Sequence, residues 1–151
     1  MPTNRFSLAI FIMAVLALPN PTARAQEKVV HNSIYDFQGT SDGQGVAGSV
    51  VFDQEGNLYG ATTDGGAQTC PFSGCGTVFQ LISSNGQWSE SVLYVFQGLP
   101  SGDGAAPEGG LILDSSGNRY GTTGYGGVGP CVLLGVADGC GTVFELSGTV
   151  T

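Results

Sequence analysis

Positive charge is scarce in this chain. Four Lys and Arg residues stand against 12 Asp and Glu, and histidine occurs once. Arg5 and Arg24 lie within the first 25 residues. Beyond them only Lys28 and Arg119 oppose the 12 acids, a formal charge of −10. Neutralising nucleic-acid phosphates or anionic lipid needs the opposite sign, so both partner classes are excluded. The acidity is read as keeping an exported protein soluble. The lone His31 lies outside the repeated segments described below. No Ser-His-Asp or Cys-His pairing can be laid out around it, and no catalytic role is assigned to it. Also missing is a helical period anywhere beyond the first 25 residues.

There is one long apolar run. Residues 1–5 are a short basic start, residues 6–18 are apolar but for Ser7, and Ala23-Arg24-Ala25 forms a small-x-small site before Gln26. This reads as a cleaved signal peptide over 1–25, too short to span a membrane, and no second apolar span follows it. No cysteine follows the cleavage site, so a lipid anchor there is not expected. The remaining residues, 26–151, suit one domain with a modest core. Glycine is abundant, at 26 residues. Together with few charges and several β-branched or aromatic runs, it points to short strands and tight turns.

Two segments are near-copies. Val50-Val51-Phe52-Asp53-Gln54-Glu55-Gly56-Asn57-Leu58-Tyr59-Gly60 matches Leu111-Ile112-Leu113-Asp114-Ser115-Ser116-Gly117-Asn118-Arg119-Tyr120-Gly121. Each reads as a hairpin. Asp53 and Asp114 open the turn with a carboxylate that accepts from backbone N–H groups, and Gly56 and Gly117 supply a left-handed residue before Asn57 and Asn118. The match extends through Tyr-x-Phe-x-Gly (35–39 and 94–98), Asp-Gly (42–43 and 103–104), Gly-Gly (65–66 and 126–127) and Cys-Gly-Thr-Val-Phe (75–79 and 140–144). The offset grows from 59 to 61 to 65, so the length changes fall in loops. One supersecondary unit is used twice, over about 33–91 and about 92–147.

Each unit supplies four strand-like runs, as a β-propeller blade requires. The fold expected is all-β, with two four-stranded antiparallel blade-like repeats; a β-sandwich of the same strands is the alternative. Asn85-Gly86 is a hairpin signal joining the Thr-Val-Phe run to the next Tyr-x-Phe run. A structural blade therefore spans about 48–96 and borrows its fourth strand from the next repeat. The second blade ends at Leu146 after three strands. Residues 29–37 are a spare strand of the missing type, expected to complete the last blade in the same chain or in a neighbouring copy.

The motif string Gly-Thr-Val-Phe-Glu-Leu (141–146), with Tyr-x-Phe-x-Gly, Asp-Gly, Pro107-Glu108-Gly109-Gly110-Leu111 and Asp-x-x-Gly-Asn-x-Tyr-Gly-Thr-Thr, resembles the GloVer (Gloeo/Verruco) tandem repeat. The resemblance covers nearly all of 26–151. It implies export and a repeat architecture, and no catalytic residues. The first copy departs from the pattern at Val46-Ala47-Gly48-Ser49 and at Ala61, and the C-terminal sorting anchor common in that family is not expected here.

Four cysteines, two per repeat, indicate disulfides in an exported chain. Of three connectivities, Cys70–Cys75 and Cys131–Cys140 are favoured, because a lengthened loop is still closed by its own bridge. A four-cysteine metal site is the rival, with irregular spacing and no nearby histidine. Gly124-Tyr125-Gly126-Gly127-Val128-Gly129 fits G-x-G-x-x-G, but no helix is indicated after it, so no dinucleotide is expected. Asp42, Asp53, Asp64, Asp103, Asp114 and Asp138 each stand beside turn residues and are read as turn formers in preference to calcium ligands. Asp103 and Glu108 are a carboxylate pair available in principle for acid–base work. The recurring Tyr and Phe residues are read as core, with Tyr59 and Tyr120 as candidate stacking faces for a ligand. Trp88, absent from the second copy, reads as a hairpin surface residue.

These readings converge on a secreted, cofactor-free module for binding or surface interaction with an unknown ligand or protein partner. Its homo-oligomers would form by strand completion. The other class considered is an exported propeller-type enzyme acting on a polysaccharide-like substrate.

Overall fold

A computed structural model describes residues 27–70, 73–133, 136–137 and 139–148. The expected signal peptide and Asp138 lie outside the described residues. The chain divides into two units, Met1–His31 and Asn32–Thr151. In the first, residues 27–31 are exposed and carry no secondary structure. All that follows concerns the second.

That unit is all-β. Strands β1 (Gln44–Phe52), β2 (Leu58–Asp64), β3 (Thr77–Ser84) and β4 (Gln87–Val95) form an antiparallel meander in chain order. Next come β5 (Gly104–Ala105), β6 (Ile112–Leu113), β7 (Arg119–Thr123), β8 (Tyr125–Gly126), β9 (Val132–Leu133), β10 (Val136–Ala137) and β11 (Thr142–Leu146). The second sheet has the order β11-β7-β6, and β5–β8 and β9–β10 form two short ladders. The last strand of the first sheet, β4, thus crosses the boundary between the two near-copied segments, and the second sheet has three strands.

The turns follow from local chemistry. In the β1–β2 connection Asp53 N–H donates to the Asn57 carbonyl at 3.0 Å, and Gly56 N–H donates to the Asp53 carbonyl at 3.3 Å. The β6–β7 connection repeats both bonds through Asp114, Asn118 and Gly117, at 3.1 and 3.0 Å. Gly56 and Gly117 have φ of 88° and 80°. A Cβ at either would meet nothing within 4 Å, so only the backbone resists substitution there. Gly56→Val and Gly117→Val are each expected to cost about 1–2 kcal/mol in chemical denaturation, the cost of holding a side chain in the left-handed region. Unchanged midpoints at both positions would mean that these turns relax without cost. Between β3 and β4, Asn85 (φ 52°) and Gly86 (φ 77°) make the two-residue turn.

Side chains alternate between two faces on each strand. On one face of the first sheet Leu58, Phe79 and Leu81 are buried beneath Tyr35, Phe37 and Trp88. The opposite face contributes Tyr59 and Val78 to the main core, with Phe96, Ala105 and Leu111, and with Leu113, Phe144 and Leu146 packed against them. The second sheet therefore stacks one face on the back of the first.

The Tyr-x-Phe segments act as wedges. The Phe37 ring lies 4.9 Å from Phe79, and the Phe96 ring 5.1 Å from Phe144, both edge-on. Asp42 and Asp103 clasp them: Asp42 accepts from Tyr35 Oη and Gln38 N–H, Asp103 from Tyr94 Oη and Gln97 N–H. Residues 29–37 form no strand, contrary to the expectation of a spare one. Tyr35 and Phe37 are already committed to the first sheet, and β11 pairs with β7 alone. Trp88 likewise is partly buried against Leu58, Phe79 and Leu81 and is not a free surface ring.

Candidate cleft between the two aspartate turns

A cleft of about 750 Å³ opens between the two Asp turns. Phe52, Asp53, Gln54, Glu55 and Asn57 line one side, Leu113, Asp114, Ser115 and Ser116 the other, and Tyr59, Gln80 and Arg119 lie at its base. Its walls are set by the hairpins and its base by the stacking of the sheets, since β2 and β3 bring Tyr59 and Gln80 opposite Arg119 of β7.

The two carboxylates in the walls are fully engaged. Asp53 accepts from the N–H groups of Glu55 and Asn57 through Oδ1, and from Asn57 Nδ2 and Tyr59 Oη through Oδ2. Asp114 accepts the matching four from Ser116, Asn118 and Tyr120. Partial burial works to raise the pKa of Asp53, but the bonds from Asn57, Tyr59 and Glu55 outweigh it and hold the carboxyl below its ordinary value. For Asp114 the Asn118 side chain is the main cause of the same lowering.

Arg119 carries the buried charge. It is 7% exposed, although the matching residue of the first copy is Leu58. Its guanidinium lies over the Tyr59 ring, 4.6 Å from the centroid. Nη1 donates to the Gly148 carbonyl at 2.9 Å and Nη2 to Tyr59 Oη at 3.1 Å, both neutral acceptors. Tyr59 Oη also accepts from Gln80 Nε2 at 2.7 Å and donates to Asp53 Oδ2 at 2.9 Å. The hydroxyl thus relays the cation to the carboxylate. Burial, more than its bond to Asp53, raises the Tyr59 pKa, and Arg119 works against the rise. Among the described residues, two polar atoms of this cluster have no partner: Arg119 Nε, a donor, and Gln80 Oε1, an acceptor. A buried polar group left so costs about 1–3 kcal/mol.

The structure distributes the sequence candidates unevenly. Asp53, Asn57, Tyr59, Asp114 and Gly117 line the cleft. Tyr120 is half-exposed, tied to Asp114, and lies on the opposite face of its sheet from Arg119. Tyr59 is 2% exposed with its face occupied by Arg119, so the two tyrosines are not an equivalent pair of stacking surfaces. Cys70 is bonded to Cys75 and Cys131 to Cys140, each closing its own loop. In the glycine loop Tyr125–Gly126 is strand β8, and strand β9, not a helix, follows it. Among the described residues no group of three or more His, Cys, Asp or Glu is placed to hold a metal ion, and no helix is long and apolar enough to cross a membrane. Sequence reasoning missed Arg119 and Gln80. The available signal was a cation at a position where the other copy has leucine. No family model, curated protein or solved structure matches this chain.

Proposed function

We propose that the protein is an exported, non-catalytic interaction module of two propeller-blade-like repeats, holding a neutral, hydroxyl-rich ligand of the saccharide class in the cleft between its Asp turns. The observation that carries this reading is a polar cleft of about 750 Å³ whose carboxylates are already saturated and whose base is the Arg119–Tyr59–Gln80 cluster. Charge narrows the ligand. Asp53, Glu55 and Asp114 disfavour an anion, and the buried Arg119 guanidinium disfavours a cation. A sugar offers both donors and acceptors from its hydroxyls, which suits a cleft lined by polar groups of both kinds. Asp53 and Asp114 are held ionised by four bonds each, which leaves neither suited to donate a proton. The two disulfides fit an extracellular or periplasmic protein. The shared GloVer-like motif string and the stacking of successive sheets support the blade reading.

Calorimetric titration with a panel of neutral oligosaccharides tests the assignment. Binding is expected for the parent protein and is expected to fall at least tenfold in Arg119→Leu, which installs the residue of the first copy, and in Gln80→Met. Saccharide binding untouched by both changes, in variants with unaltered thermal transitions, would place the ligand elsewhere. No binding across the panel would remove the saccharide reading.

A further inference from the structure

From the two end faces of the stack, we infer that the protein self-associates head to tail, the exposed face of the second sheet of one copy docking on the outer face of the first sheet of another. The chain already contains this interface once. Inside it, the back of the first sheet, with Val78 fully buried and Val51 partly so, meets the front of the second, with Leu111 at 4% exposure and Leu113 packed in the core. The same positions recur at both ends of the stack and are open there. On the back of the second sheet, Val143 stands where the first sheet has Val78, and Ile112 where it has Val51; they are 83% and 67% exposed. On the front of the first sheet, Val50 and Phe52 stand where the second has Leu111 and Leu113; they are 45% and 62% exposed.

Strand pairing fixes these assignments to faces. Val143 is paired with Thr122, Glu145 with Tyr120 and Ile112 with Tyr120, which puts all of them on the side away from Phe144 and Leu146. Phe52 is paired with Leu58, on the side of Phe79 and Leu81. Each open end is therefore the complement of the other, and a second copy continues the established sheet-to-sheet interface in the direction it already runs. Such a contact uses two different patches, so it extends into a closed ring or an open row and does not stop as a two-fold dimer.

The polar cluster of the internal interface is not reproduced between copies. Glu145 replaces Gln80 on one side and Leu58 replaces Arg119 on the other. The intermolecular contact is consequently weaker than the internal one and depends on concentration. It differs from completion of the last sheet by residues 29–37, because Tyr35 and Phe37 stay on Phe79 while the copies stack.

Sedimentation velocity over a wide concentration range tests the inference on the full exported chain. The mass of the parent protein is expected to rise from one chain to several. Val143→Glu and Val50→Glu, exposed positions on opposite ends, are each expected to leave a monomer with an unchanged thermal transition. An equimolar mixture of the two is expected to form a dimer and nothing larger, since each variant keeps one sound face. Glu145→Gln is expected to tighten self-association several-fold. A parent protein that is monomeric throughout would overturn the inference, and so would continued self-association of either single variant or a mixture that stays monomeric.

Discussion

Truncating Phe96 to alanine is expected to lower stability by about 3–5 kcal/mol, the range for removing a fully buried phenylalanine. Its ring is 1% exposed and lies 5.1 Å from both Tyr94 and Phe144. Its backbone belongs to a different neighbour: Phe96 N–H donates to the Gly76 carbonyl at 3.1 Å, just past the end of β4. One residue is therefore held by the first sheet while its side chain fills the second, and the cavity opens at the joint. Phe37→Ala, at the matching position but half-exposed, is expected to cost distinctly less, and Phe52→Ala, at 62% exposure, close to nothing. Denaturant midpoints for the three variants provide the ranking. Equal losses for Phe96 and Phe37 would show that the joint between the sheets does not depend on this ring.

The disulfides should come next in effect. The bonded cysteines are 5 and 9 residues apart. Closing loops of that size in the unfolded chain is worth about 2 and about 3 kcal/mol on the loop-entropy account. Together they are a large share of the roughly 5–15 kcal/mol by which domains are stable. The two bridges differ in access. Cys75 is completely buried in the main core, whereas Cys131 and Cys140 are both exposed. A mild reductant is expected to open Cys131–Cys140 first, with a modest fall in melting temperature, and Cys70–Cys75 only as the domain unfolds. Mass spectrometry after timed alkylation reads the order. Simultaneous opening of both, or a fully reduced protein with an unchanged melting temperature, would contradict this account.

Much of the fold was readable because its instructions are local. The Asp-x-x-Gly-Asn turns, the Asn85-Gly86 hairpin and the four-stranded antiparallel sheet spanning both repeats all follow from turn chemistry and alternating runs. Residues 29–37 show the limit of that reasoning. Their Tyr-x-Phe pattern is the same as that of residues 94–96, but only the latter are preceded by a Thr-Val-Phe strand and an Asn-Gly turn that supply a pairing partner. Without one, the same pattern packs as a wedge but forms no strand. The cleft was hidden for a related reason. Arg119 acquires its role only when it meets Tyr59 and Gln80, 60 and 39 residues away, through the stacking of two sheets. Nothing in its own neighbourhood announces that meeting, apart from the leucine that stands at its counterpart.

The offset between sequence unit and sheet has a consequence for how such a chain can change over generations. The boundary between the matched units, near residue 91, falls inside β4 (Gln87–Val95), not in a loop. A recombination event that adds or removes one unit there must leave a hairpin whose halves come from different parents. Only units that agree in the β3–β4 register and in the Tyr-x-Phe wedge will join and fold. Inheritance is thereby constrained at the seams and free in the cysteine-closed loops, where the two units already differ in length.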